Sequence, residues 1–178
     1  IQLRAVGPDG AQMSEFYSLL GAVLQSQHRF RGALEAHTHS AELARAVGGR
    51  PLDEALTLSN IGYLYTDYGD YPRALATFEQ SLAVLGKSDL DRDNIEWRRI
   101  EKWYGRALAM AGRGAEARER LLPLRERSRR LDGEDSFEYV DVTWQLAEAA
   151  QRMGDVEHGM PLVQDMRKGL AKLVPPTH

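Results

Sequence analysis

The 178-residue chain contains no cysteine, and no apolar run approaches the roughly 18 residues that a membrane-spanning helix needs. Without cysteine, a disulfide framework, a thiolate metal site and a cysteine nucleophile are all excluded. The sequence does not open with a basic segment followed by an apolar one, as a secretory leader would. We therefore expect a soluble protein that acts in the cytoplasm, without contact with a membrane.

Signatures of catalysis are missing as well. The sequence has no Gly-rich phosphate loop, no Gly-x-Ser-x-Gly turn and no His-Glu-x-x-His spacing. His37 and His39 are two residues apart, which places them about 200° apart around a helix, so they cannot ligate one metal ion. We expect His37 to be a core residue, and we expect no enzymatic activity, no metal and no cofactor.

Internal repetition is the strongest signal in the sequence. Gly21, Gly62, Gly105 and Ala147 align with one another, at steps of 41, 43 and 42 residues. Seven residues after each comes a turn, and twelve residues after each comes another small residue, which begins an amphipathic stripe with spacing i, i+4, i+7. These second-helix stripes are Ala33, His37 and Ser40; Ala74, Phe78 and Ser81; Ala117, Leu121 and Leu124; and Gly159, Val163 and Met166. Each unit is therefore predicted to be a helix, a tight turn and a second helix.

We predict eight helices from this pattern and from the glycines and prolines that separate the units. They lie near residues 13–27, 30–47, 53–68, 71–85, 91–112, 114–131, 136–153 and 155–173, with Asp53 as the N-cap of the third. The four units are predicted near 14–47, 55–86, 98–131 and 140–173, within an array that spans 13–174. Residues 1–12 are then a lead-in and residues 175–178 a tail, and we expect the chain to be a piece of a longer protein.

The second unit closely resembles a tetratricopeptide repeat, through the segment Leu58–Tyr65 followed by Gly69–Phe78. The resemblance extends over roughly residues 13–173. The 42-residue period resembles the longer repeats of kinesin light chains and of bacterial regulatory proteins. The resemblance to the tetratricopeptide repeat implies an all-α fold, an αα superhelix of four helix-turn-helix repeats. It also implies a non-catalytic module that binds another protein in a concave groove.

In this family the first helix of each repeat lines the groove, and the resemblance assigns several residues of this sequence to that surface. Asn60 could hold an extended peptide backbone through its amide, or be a solvated helix residue. Trp103 and Trp144 could be partner contacts, or core residues of rotated helices. The candidate peptide-binding residues are Asn60, Tyr63, Arg99, Lys102, Trp103, Arg106, Trp144 and Gln145.

The charge along the chain suggests the kind of partner. Although the net charge is only −3, residues 98–130 contain 11 basic and 4 acidic residues, a local net charge of +7. Arg99, Lys102 and Arg106 follow one another at spacings of three and four, so they share a helix face. We therefore expect an acidic peptide or protein segment as the ligand. Nucleic acid is disfavoured, because no base-stacking platform beyond Trp103 and no helix-turn-helix motif accompanies the basic residues.

The last predicted helix carries more apolar residues than one packed stripe requires: Val156, Met160, Leu162, Val163, Met166, Leu170, Leu173 and Val174. Some of this surface must face water or be covered by a partner. We therefore expect an end-to-end or side-by-side homodimer through the C-terminal repeat; the alternative is that Met160 and Met166 fold back and cap the array locally. The alternative to peptide binding is a self-assembly or intramolecular regulatory domain of a larger signalling or transcription-regulatory protein.

Overall fold

The computed structural model describes residues 10–173, which form eight α-helices and no strand. The helices are α1 (Gly10–Ser26), α2 (Phe30–Ala46), α3 (Pro51–Asp67), α4 (Tyr71–Leu85), α5 (Ile95–Met110), α6 (Gly114–Asp132), α7 (Phe137–Met153) and α8 (Val156–Leu173). Consecutive helices pack as pairs, α1 with α2, α3 with α4, α5 with α6 and α7 with α8. The all-α fold of four helix-turn-helix pairs is thus confirmed.

The helix contacts divide the chain into two compact units, with the boundary between Asp91 and Arg92. Helices α1 to α4 form the first unit, in which α3 packs against α2 and α1. Helices α5 to α8 form the second unit, in which α7 packs against both α6 and α5. In each unit, then, the first helix of the later pair lies against the pair that precedes it.

In the first three pairs, the close approach of the two helices depends on the glycines that reveal the repeat. A Cβ atom added at Gly21 or Gly105 would lie about 2.6 Å from the His37 ring or 2.5 Å from Leu121, respectively, and one at Gly62 would lie 3.1 Å from the Phe78 ring. All three opposing side chains are fully buried. The glycines therefore leave the space that these core side chains occupy, as the sequence pattern predicts.

Local capping explains where several helices begin. Asp70, Asn94 and Ser136 each accept a hydrogen bond at the N-terminus of the helix that follows, from the backbone N–H of Arg73, Glu96 and Tyr139, respectively. Because Asn94 is the cap, α5 begins at Ile95 and not near residue 91 as predicted from the sequence.

The prediction that Asp53 caps α3 is wrong. The helix begins at Pro51, whose fixed φ suits the first helical position, and its N-cap is Arg50. Asp53 lies in the first turn and forms an ion pair with Arg50 at 2.9 Å. An aspartate in a first turn still stabilises the helix, because it interacts favourably with the positive end of the helix dipole.

Candidate binding surface

The eight predicted site residues fall into two groups. Asn60 and Tyr63 lie one turn apart on α3 in the first unit, and both are half-buried. The other six lie in the second unit and form what we call the α5/α7 face: Arg99, Lys102, Trp103 and Arg106 on α5, with Trp144 and Gln145 on α7. The first helices of the third and fourth pairs therefore supply this face, as the resemblance implies.

Asp141 joins the two helices of the α5/α7 face. Its carboxylate forms an ion pair with Lys102 of α5 and accepts a hydrogen bond of 3.4 Å from Nε2 of Gln145, one turn further along α7. The Lys102 side chain is only 14% exposed. Oε1 of Gln145 is buried and has no hydrogen-bond partner within residues 10–173. The bond to Asp141 therefore fixes the Gln145 amide, whose oxygen is shielded from solvent.

The positive charge of the α5/α7 face is smaller than the sequence suggests. Besides the pair between Lys102 and Asp141, Arg99 pairs with Glu96 at 2.6 Å. Arg106 is half-buried. Arg99 and Lys102 thus have carboxylate partners, because acidic residues lie on the same turn of α5 and on the facing side of α7, and Arg106 is not free of partners either.

The two tryptophans of the face have different surroundings. Trp103 is half-buried, and the Arg99 guanidinium lies 5.2 Å from the centroid of its ring. Trp144 is 52% exposed. The alternative that both rings belong to the core therefore fails for Trp144, whose exposed apolar area is what a partner contact requires.

Trp144 also lines a groove between α7 and α8, with a volume of about 470 Å³. We call this the α7/α8 groove. Its wall on α7 includes Trp144, Ala147 and Gln151, and its wall on α8 includes Val156, Gly159, Met160, Val163 and Met166. Val156, Met160, Leu170 and Leu173 are exposed, while Leu162, Val163 and Met166 are half-buried. Val174, also predicted to contribute, lies outside the described residues.

No structural role is predicted from the sequence for two arginines of α6 that link helices. Arg125 donates to Asp165 of α8 at 2.8 Å and to Thr143 of α7 at 3.0 Å, and so ties three helices together. Arg127 donates to Glu101 of α5 at 3.0 Å. The signal that could have found them is the set of acidic residues on the neighbouring helices, of which Glu101 lies inside the segment 98–130 and Asp165 outside it.

His37 is buried in the first unit, as predicted. Burial lowers its pKa from 6.5 to about 4, because the charged imidazolium would lose its hydration there. Neither ring nitrogen has a hydrogen-bond partner among the described residues. The neutral ring therefore acts as a core side chain at the position that Phe78 and Leu121 occupy in the next two pairs.

Residues 10–173 contain no group of three or more His, Asp or Glu side chains arranged to hold a metal ion. Across the same residues, none of the helices is both long enough and apolar enough to cross a membrane. The candidate binding surfaces are therefore the polar α5/α7 face and the apolar α7/α8 groove.

Comparison with known proteins identifies the repeats. The sequence model of the tetratricopeptide repeat family matches residues 12–87, which lie almost entirely within α1 to α4 and their connections. No curated protein sequence matches this chain. The similarities to solved structures therefore carry the comparison for the second unit.

Three solved structures resemble the chain over nearly its whole length. A Podosopora anserina kinesin light chain protein with nearly identical TPR-like repeats is 20% identical, with coverage of 98% of this chain and 82% of its own, at a TM-score of 0.73. Rap protein complexed with Competence and Sporulation Factor is 15% identical, with coverage of 96% and 45% and a TM-score of 0.76. BtubC (BKLC) from P. vanneervenii is 15% identical, with coverage of 95% and 85% and a TM-score of 0.65.

The resemblance to long repeats of the kinesin light chain kind agrees with these neighbours, which share the fold at low sequence identity. The first two helix pairs thus match the tetratricopeptide repeat model that the sequence resembles, and all four pairs have the fold of these solved repeat structures.

Proposed function

We propose that the chain is a non-catalytic protein-interaction module whose α5/α7 face binds a segment of a partner protein. The observation that carries the proposal is Trp144, a large aromatic side chain that is 52% exposed at a first-helix position. Exposed tryptophans are typical of residues that contribute strongly to binding energy. The neighbouring Gln145 is held beside Asp141 by the hydrogen bond that its Nε2 donates.

The fold supports the same function. Tetratricopeptide repeats are protein-interaction modules, and the Rap protein that shares this fold was solved in complex with Competence and Sporulation Factor. We extend this to the present chain as a proposal: its ligand is an extended or helical segment of another protein. Asn60 and Tyr63 would form a candidate contact surface of the first unit by itself, since an asparagine amide can both donate to and accept from a peptide backbone.

We propose further that the segment is acidic, and that Arg99 and Arg106 select it. The pair between Arg99 and Glu96 is partly exposed, with side chains 37% and 28% accessible, and such pairs contribute only about 0–1 kcal/mol. A ligand carboxylate can therefore replace Glu96 at small cost. Lys102 is more deeply buried with Asp141, and its role is to hold α5 against α7.

Selection from a random dodecapeptide display library, with the immobilised chain as bait, tests this proposal. The enriched peptides should be rich in Asp and Glu. Their affinity should fall as the salt concentration rises, because salt screens the attraction of Arg99 and Arg106 for acidic residues. Trp144→Ala should weaken their binding about tenfold or more. Arg99→Glu and Arg106→Glu should each weaken the binding of the acidic peptides by a similar factor.

Arg129→Glu provides the matched control, because this exposed arginine of α6 lies outside the α5/α7 face and changes the total charge by the same amount. Peptides that bind the wild type, the Arg99→Glu protein and the Arg106→Glu protein equally well would show that these arginines do not form the site. Peptides that bind the Trp144→Ala protein as tightly as the wild type would show that Trp144 is not part of the site.

A second function is favoured by the exposed apolar residues of α8. We propose that the chain also associates with itself through its C-terminal repeat, since Val156 and Met160 are 69% and 52% exposed beside the apolar α7/α8 groove. Contiguous exposed apolar surface of this kind marks sites of protein association. Sedimentation equilibrium over a concentration series tests this, and a mass of 20 kDa at every concentration would contradict it.

A further inference from the structure

The α7/α8 groove has the shape of a junction that the second unit already contains one repeat earlier. Helix α7 packs against the pair formed by α5 and α6. At that junction the backbone of Gly114, near the start of α6, is so close to Met153 of α7 that an added Cβ would lie 2.4 Å from its side chain. Val156, at the start of α8, occupies the same repeat position as Gly114 and is exposed.

The first unit shows the same junction with aromatic side chains. Phe30, the counterpart of Gly114, stacks against Tyr68 at the end of α3, with ring centroids 3.6 Å apart. Tyr68 is in turn the counterpart of Met153. In both units, therefore, the start of a second helix receives the C-terminal end of the next first helix. The expected occupant of the α7/α8 groove is a first helix.

This chain has a first helix with an exposed apolar face. On α1, four apolar side chains are exposed and share one side of the helix, and we call them the α1 stripe: Met13, Phe16, Leu19 and Val23. Leu19 and Phe16 are the most exposed, at 67% and 55%. The spacing of three and four residues is that of a packing face.

The α1 stripe corresponds to the face that α7 uses at its own junction. Aligning Gly21 with Ala147 places Met13 at the position of Tyr139, Phe16 at that of Val142 and Val23 at that of Ala149. These three residues of α7 are buried. Tyr139 contacts Arg125 of α6, and the carbonyl of Ala149 lies 3.6 Å from a Cβ built on Gly114.

We infer that the α7/α8 groove of one copy binds the α1 stripe of a second copy, in a head-to-tail contact. The inference rests on the self-association proposed above and names the surface that the groove receives. The contact is heterologous, because at the internal junctions a first helix packs against the preceding pair, whereas the second helices α6 and α8 are linked by the ion pair between Arg125 and Asp165. Each dimer then keeps one free groove and one free stripe. Larger oligomers therefore form as the protein concentration rises, unless the contacts close into a ring.

Two charge substitutions, one on each surface, test the inference by sedimentation equilibrium. Phe16→Glu changes the α1 stripe and leaves the groove intact, whereas Met160→Glu changes the groove and leaves the stripe intact. Each substitution alone should weaken self-association by about tenfold or more, because it places a carboxylate in an apolar contact. An equimolar mixture of the two proteins should form a 1:1 dimer that grows no further, because each retains the surface that the other lacks.

Thr38→Glu is the matched control, since Thr38 is an exposed residue of α2 outside both surfaces, and this protein should associate like the wild type. Circular dichroism of each variant verifies that its helices are intact. If only Met160→Glu impairs association, the contact is symmetric through α8, which overturns the head-to-tail inference and leaves self-association standing. If the wild type is monomeric throughout, both are overturned.

Discussion

His37 shows how one residue links the repeat pattern to the pH dependence of stability. Its ring lies in the space left by Gly21 and is fully buried, and its pKa is lowered from 6.5 to about 4. Above pH 6.5 the ring is neutral in both the folded and the unfolded chain, so it has no effect on the pH dependence. Between pH 6.5 and about 4 only the unfolded chain takes up the proton, and folding becomes less favourable.

We therefore predict that the free energy of unfolding of the first unit falls by about 3 kcal/mol between pH 7 and pH 4 through this residue alone. His37→Phe, which installs the residue found at this position in the second pair, should remove that part of the dependence. Urea denaturation at several pH values measures it. A His37→Phe protein with an unchanged profile would contradict the assignment.

Individual site residues were less predictable than the core. The sequence pattern places Arg99, Lys102 and Trp144 correctly on first helices, because a helical register needs only local spacing. The ion partners of Lys102 and Arg125 depend on Asp141 and Asp165, which are about 40 residues away in sequence, and on side-chain reach that a pattern does not contain. The sequence alone therefore overestimates the positive charge of the α5/α7 face.

Among the structural elements, the turns within the helix pairs are nearly identical, with one exception. Gly69, Gly112 and Gly154 occupy equivalent positions in three of the turns and have φ between 69° and 79°. In the first turn the same position is His28, with φ of 57°, a left-handed conformation that costs a side chain with a Cβ about 1–2 kcal/mol. The first turn is thus a point of local strain.

Replacing His28 with glycine should raise the stability of the first unit by roughly 0.5–1 kcal/mol, because the relief of strain exceeds the extra entropy of glycine in the unfolded chain. The midpoint of urea denaturation measures the gain. The reverse change in the second turn, Gly69→Ala, should lower stability by about 1 kcal/mol. A lower midpoint for His28→Gly would mean that the imidazole makes a compensating contact.

Element boundaries were predictable to within a few residues, with errors that have identifiable causes. The predicted start of α3 at residue 53 is two residues late, because Pro51 was assigned to the connector although it suits a first helical position. The predicted start of α5 at residue 91 is early, because Asn94 caps the helix. The periodic apolar stripes, in contrast, located all eight helices, since burial on one face requires them.

At the scale of the whole molecule, the charge distribution differs from the one that the segment 98–130 suggests. Residues 92–178 contain 16 Lys and Arg and 15 Asp and Glu, so the second unit carries a net charge of only +1. Several of its arginines pair with acids that lie outside the segment, as Arg125 does with Asp165 and Arg118 with Asp155. The long-range field that attracts a polyanion is therefore weak.

We accordingly predict that the chain is not retained on immobilised heparin above about 0.15 M NaCl, where proteins with several free phosphate-binding cations still bind. A salt gradient on such a column measures it. Asp165→Asn and Asp141→Asn, which remove acidic partners of Arg125 and Lys102, should shift elution to higher salt. Firm retention of the wild-type protein would restore the nucleic-acid interpretation.

The placement of the three tryptophans has an optical consequence. Trp97 is buried, Trp103 is half-buried and Trp144 is exposed, and all three lie in the second unit. Tryptophan emission therefore reports on α5 to α8 alone. The emission of the buried Trp97 should be blue-shifted, whereas the exposed Trp144 should be accessible to soluble quenchers. The first unit has its own reporter in the ring-proton resonances of His37, so a single denaturation series can follow each unit with a separate signal.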